Sequence, residues 1–131
     1  MAVNIVREVD DLVPISRVLV SVSDKAGLEL LIPGLVEANP EVHFYSTGGT
    51  HGAIAALLGA ERAGRHLTQV SDYTGQPETQ GGLVKTLDFR IYLGLLTETY
   101  NAAHQADLAR TGALPLDMVV VNLYPFAATV G

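Results

Sequence analysis

The chain has 131 residues, 48% of them hydrophobic and 17% charged, with a net charge of −6 and no cysteine. Such a chain makes about one globular domain with its own core, and it has no means of forming disulfides or thiolate metal sites. The acidic balance argues against a nucleic-acid surface, which needs clustered Lys and Arg.

No apolar run approaches the ~20 residues of a membrane span. Glu8, Asp10 and Asp11 stand where a signal peptide would be basic. Cytoplasm is therefore the expected location, with no membrane partner. Residues 1–16 read as a polar N-terminal arm closed by Pro14, and residues 17–131 as the domain.

Residues 17–22, RVLVSV, are a β-branched run of strand length. The next apolar pattern, LELLIPGLVEA, has helical spacing, with Asp24 as the N-cap candidate. Pro33 falls inside it and predicts a kink, or a helix that breaks and restarts. Asn39-Pro40 is a turn signal. Residues 42–46 read as a second strand, and residues 52–60 as a helix. Residues 66–70 look like a short third strand, followed by a polar, glycine-containing loop from 76 to 82. Residues 90–96 fit a strand or a buried helix equally well. Residues 100–110 are helical with Gly112 as the stop, and residues 118–124 form a strongly apolar strand closed by Pro125.

Strands alternating with helices predict an α/β fold with a mainly parallel sheet, and a run such as MVVV fits a sheet covered by helices on both faces. Ligands of such sheets bind beyond the carboxyl ends of the strands. Here each strand runs directly into hydroxyls, glycines or amides, at residues 21–25, 46–50, 71–75 and 122–124. That edge is the candidate site.

The loop YSTGGTHG, residues 45–52, is the first motif on it. Gly48 and Gly49 let backbone approach a ligand, free N–H groups of a first helical turn attract an anion, and Thr47 and Thr50 add hydroxyl donors. The plainer reading is a strand-to-helix turn capped by Thr50. After the first strand, Ser21 and Ser23 share one side of an extended segment, and Lys25 offers a point charge to a phosphate or simply a solvated start of a helix. The chain's other lysine, Lys85, precedes Thr86 within VKTL and has the same two readings. Asn122 and Tyr124 end the last strand, where they read a base edge and stabilise an oxyanion, or merely close the core. His43, His51, His66 and His104 show no metal-ligand spacing, and no metal or cofactor is assigned.

Taken in order, SVSDKAGL, YSTGGT, VSDYTGQPE, LVKTL and VVVNLYPFAATV resemble the N-terminal domain of a bifunctional purine-biosynthesis family. That family joins phosphoribosylaminoimidazolecarboxamide formyltransferase to inosine monophosphate (IMP) cyclohydrolase. The resemblance runs from about Arg17 to the last residue. It implies a methylglyoxal-synthase-like fold that binds a ribonucleotide monophosphate. It also implies closure of 5-formamidoimidazole-4-carboxamide ribotide to IMP with loss of water, without metal or cofactor. Carried onto matching positions, Ser21, Ser23, Lys25, Thr47, Gly48, Gly49 and Thr50 hold the phosphate and ribose end. Lys85 and Thr86 lie by the formyl group, with Lys85 in catalysis, while Asn122 and Tyr124 meet the base and the oxyanion.

The chain departs from the family's GRVKTLHPKVHGG at Leu83, Asp88 and Tyr92, which replace an arginine and two histidines. Losing an arginine beside a phosphate weakens anion binding by ~1.5–3 kcal/mol where it made a charge-assisted hydrogen bond, and Asp88 near the site is expected to repel phosphate. In the family an aspartate and a second lysine of the active site follow the NLYPF motif. They are not among these 131 residues, nor is the formyltransferase domain. Two readings stand: a cyclohydrolase, or a non-catalytic relative that binds a phosphorylated metabolite or nucleotide. A homodimer is the expected assembly.

Overall fold

The computed structural model describes residues 6–75 and 88–123. In chain order the elements are β1 (Arg17–Ser21), α1 (Leu28–Ala38), β2 (His43–Ser46), α2 (Gly48–Leu58), α3 (Ala60–His66), β3 (Leu67–Gln69), α4 (Val70–Thr74), α5 (Phe89–Leu96), α6 (Ala102–Thr111) and β4 (Met118–Val121). Among the described residues the four strands form one parallel sheet in the order β3-β2-β1-β4. The chain thus steps outward from β1 to β2 and β3, then returns to the opposite side of β1 for β4.

Side chains alternate across a strand, so the apolar runs of β1 and β2 feed two cores at once. Val18, Val20 and Phe44 face α1 and α2, packing with Ile32, Ile54 and Leu58. Leu19 and Tyr45 face the other way, against Val70 of α4 and Ile91 of α5. At β1 and β2 the sheet is therefore covered by helices on both faces. At MVVV, whose unbroken apolar run predicts the same cover, Met118 and Val120 pack on the α1 side while Val119 and Val121 are exposed among the described residues, because β4 is an edge strand. Phe44, Ile32, Ile54, Val18 and Val20 are fully buried, and each such side chain stabilises the fold by ~1.5–3 kcal/mol.

Several local expectations are revised. α1 runs through Pro33 as one helix. Proline removes the N–H that would bond Glu29 carbonyl, but both residues are exposed, so water serves that carbonyl while buried Leu28 and Ile32 hold the helix to the sheet. Asp24 does not cap α1. The helix starts at Leu28 with Gly27 as N-cap, at φ 93°, and Asp24 Oδ1 instead accepts from Ala26 N at 2.9 Å to close the preceding turn. α2 begins at Gly48, four residues before the helical pattern is legible.

The ambiguous run at 90–96 is helix α5, capped by Asp88, whose carboxylate accepts from Arg90 N at 2.9 Å. Arg90 in turn donates to the carbonyls of Tyr73 and Thr74, tying α5 to α4. Gly94 is forced by close approach: a Cβ there would lie 2.5 Å from the carbonyl oxygen of Leu114, and Gly94 carbonyl accepts from Leu116 N. At the other end of the chain, α6 stops at Gly112, φ 73°, as expected.

Candidate functional site at the carboxyl edge

The reversal of strand order falls between β1 and β4, the position at which parallel α/β sheets open a crevice at their carboxyl ends. Three of the predicted segments meet there or beside it. Residues 22–27 leave β1, Thr47 and Gly48 lead from β2 into α2, and Asn122 follows β4.

Hydroxyl groups join the first two segments. Ser21 Oγ lies 3.0 Å from Thr47 Oγ1. Thr50 Oγ1 accepts from Val22 N at 3.2 Å and donates to Val22 carbonyl at 3.1 Å, buried among core atoms. Thr50 is therefore neither the cap of α2 nor a free donor at the edge, since its hydroxyl is spent on the β1 exit. The N-cap position belongs to Thr47, whose backbone is extended. Its hydroxyl turns to Ser21 and makes no cap bond.

That leaves the first turn of α2 without a side-chain cap from Thr47. His51 N bonds Thr47 carbonyl, while the N–H groups of Gly48, Gly49 and Thr50 precede the helical ladder and have no side-chain cap. Gly48 has φ 40°, open to glycine but strained for other residues, and no described atom lies within 4 Å of a Cβ built on exposed Gly49. Partial positive charge and accessible N–H groups together suit an oxyanion.

Lys25 is half-buried on the neighbouring loop. Its ammonium donates to the carbonyl of Val22 and to that of Ser23 at 3.3 Å, so the side chain folds back over its own turn. Among the described residues no carboxylate lies within ion-pair distance of it. Asn122 meets the same loop from β4. Its Oδ1 accepts from Ser23 N at 2.7 Å and Asp24 N at 3.2 Å, and its Nδ2 donates to Asp24 carbonyl at 2.8 Å.

The structure thus brings together Ser21, Ser23, Lys25, Thr47, Gly48, Gly49, Thr50 and Asn122. Lys85, Thr86 and Tyr124 lie outside the described residues, as does Leu83. Asp88, expected to repel phosphate, has its carboxylate engaged at the start of α5, and Tyr92 sits half-exposed on the same helix.

Sequence reasoning passed over Ser46, the last residue of β2, which is fully buried with a hydroxyl that has no partner among the described residues. Nothing in a lone serine of a strand signals that burial. The perturbed ionisable groups sit elsewhere. Burial lowers the pKa of His43, helped by the nearby His66 and Arg17 charges, and raises that of Tyr45; the two rings pack 5.0 Å apart on the α5 side of the sheet. Among the described residues no cluster of His, Asp and Glu has the makings of a metal site, and no helix is long and apolar enough to cross a membrane.

No family model matches the chain. It is 50% identical over 115 residues to the bifunctional purine biosynthesis protein PurH of Synechococcus sp. (strain CC9605), covering 86% of this chain and 20% of that protein. It is 49% identical over 116 residues to the protein of the same name from Magnetococcus marinus, and 48% identical over 120 residues to that from Dinoroseobacter shibae. Those two matches cover 88% and 92% of this chain, and 20% and 21% of the relatives. The crystal structure of ForH superposes with a TM-score of 0.67 at 27% identity, over 85% of this chain and 54% of that one. The chain therefore spans 20–21% of the length of the curated relatives it matches. Over nearly all of its own length it is a homologue of the N-terminal part of the bifunctional purine biosynthesis protein PurH.

Proposed function

We propose that this chain carries the IMP cyclohydrolase reaction, closing 5-formamidoimidazole-4-carboxamide ribotide to IMP, and that its carboxyl edge seats the substrate's 5′-phosphate. The observation that carries this reading is the Ser21–Thr47 hydroxyl contact at 3.0 Å. It sets the uncapped N–H groups of α2 beside the β1-exit loop, which also bears Lys25.

In the reaction the carboxamide nitrogen bonds to the formyl carbon, whose oxygen gains negative charge. A proton from that nitrogen reaches the oxygen. The resulting hydroxyl then leaves as water with a proton from the formamido nitrogen, and a C=N bond remains. Both reacting groups belong to one molecule, so orientation and charge stabilisation are the chief requirements. Gripping the phosphate supplies orientation. Ser23, Thr47, Gly48 and Gly49 bind the phosphate with Lys25, while Ser21 and Thr50 hold the two loops in register. Lys85 is assigned to proton transfer or charge stabilisation, with Thr86 beside it and Tyr124 at the oxyanion.

The replacement of an arginine by Leu83 favours a second reading, a non-catalytic module that binds a phosphorylated metabolite or nucleotide. One experiment separates the two. Purified protein is mixed with the formamido ribotide, IMP formation is followed by absorbance, and IMP binding is measured by calorimetry. Turnover above the uncatalysed rate supports the enzyme. Binding without turnover supports the module, and absence of both removes the phosphate seat.

A further inference from the structure

We propose that Asn122 is a positioning residue, which fixes the Ser23–Asp24 backbone and through it the ammonium of Lys25, rather than a reader of the base. The inference rests on the phosphate-seat reading above and concerns how that seat is held in shape.

Parallel pairing of β1 with β4 sets Ser21 beside Val121, so the residue after β4 emerges next to the loop after β1. A primary amide is suited to that place, because it accepts and donates from one short, planar group. Asn122 Oδ1 takes two successive N–H groups, those of Ser23 and Asp24, which fills both of its lone pairs. Its Nδ2 returns a bond to the carbonyl of Asp24. These three contacts join segments 98 or 99 residues apart in the chain. One N–H of the amide is left for anything else.

The loop needs such a clamp. Residues 22–25 belong to no helix or strand, and Val22 is held from the other side by Thr50. Lys25 Nζ is directed by the carbonyls of Val22 and Ser23, so wherever the Ser23–Asp24 peptide moves, the charge moves with it. Without the clamp a ligand must order the loop as it binds, and part of its binding free energy goes to that ordering.

The discriminating pair of ligands is IMP and ribose 5-phosphate, which share the phosphate and ribose but differ in the base. Asn122→Ala in the full chain is expected to weaken both by the same factor, roughly tenfold, the equivalent of about one lost hydrogen bond. Hydrogen exchange should quicken at the Ser23 and Asp24 amides, while the β1 amides and the melting temperature stay as in the parent. Asn122→Asp keeps an accepting oxygen for both N–H groups but loses the bond to Asp24 carbonyl and sets a second oxygen against it, so those amides should be protected in part; it serves the exchange measurement should the alanine variant unfold.

Loss of IMP affinity with ribose 5-phosphate unchanged makes Asn122 a base contact and overturns the proposal. So does unchanged exchange at Ser23 and Asp24 in the alanine variant. If the parent protein binds neither ligand, the phosphate seat itself fails, and the purpose assigned to the clamp fails with it. That outcome is distinguishable, because exchange still reports whether the clamp forms.

Discussion

Ser21 and Thr47, 26 residues apart in sequence, bring their side-chain oxygens within 3.0 Å at the ends of β1 and β2. Thr47 thereby gives up the capping bond that its position would allow, and the first turn of α2 keeps its N–H groups for another acceptor. Thr47→Val keeps the shape and removes the hydroxyl. Inorganic phosphate or IMP should bind several-fold more weakly, with a loss of stability of no more than ~1 kcal/mol, since Ser21 is only half-buried and turns to water. Calorimetric titration and urea denaturation read the two quantities separately.

Thr50→Val should behave in the opposite proportion. That hydroxyl serves both the N–H and the carbonyl of Val22 in a buried place, and valine leaves two backbone groups without a partner. A loss of ~2–6 kcal/mol is expected from two such groups at ~1–3 kcal/mol each. A shift of the denaturation midpoint larger than that of Thr47→Val is the check.

Gly94→Ala tests the packing of α5. The added methyl would meet the backbone oxygen of Leu114 at 2.5 Å and the side chain of Leu116 at 3.2 Å, and the backbone cannot swing away as a flexible side chain does. Overpacking of this kind costs ~1–3 kcal/mol, against the small gain that alanine usually brings to a helix interior. A higher melting temperature in the variant would show that the α5 contact is looser than these distances require.

The stability of the protein should fall with pH below the ordinary histidine range, partly through His43. Burial holds its pKa under 6.5, and the His66 and Arg17 charges act in the same direction. The unfolded chain therefore takes up the proton first as pH falls through 6.5, which favours unfolding. The stabilisation is fully present above 6.5 and is lost as pH falls towards the lowered native value. His43→Gln should flatten that part of the stability–pH curve, measured by denaturant unfolding between pH 5 and pH 7 (roughly the histidine range). An unchanged slope would assign the dependence to other groups.

Much of this protein is legible in its sequence, for identifiable reasons. The run Val18–Val20 is apolar at every position because both faces of the sheet are covered at β1, and continuous hydrophobicity is a local signal. MVVV carries the same signal, yet edge strand β4 leaves Val119 and Val121 exposed among the described residues. Glycine at the end of α6 and hydroxyl-rich exits from strands are local too, so Gly112 and the carboxyl-edge loops could be placed in advance. Pro33 and residues 90–96 could not. Whether a proline breaks a helix depends on which face meets water, and whether a short apolar run is helix or strand depends on what packs against it.

The sequence by itself determined the composition of the site: serines, threonines, glycines, a lysine and an asparagine, in an order that matches a known family. Tertiary structure alone decided how those groups are employed. Thr47 turns to Ser21, Thr50 turns inward to Val22, and Asn122 bonds the Ser23–Asp24 backbone. The physical reason is that a parallel sheet joins strands distant in sequence. The partner of each side chain is set by the β2-β1-β4 order, which no local pattern of residues encodes.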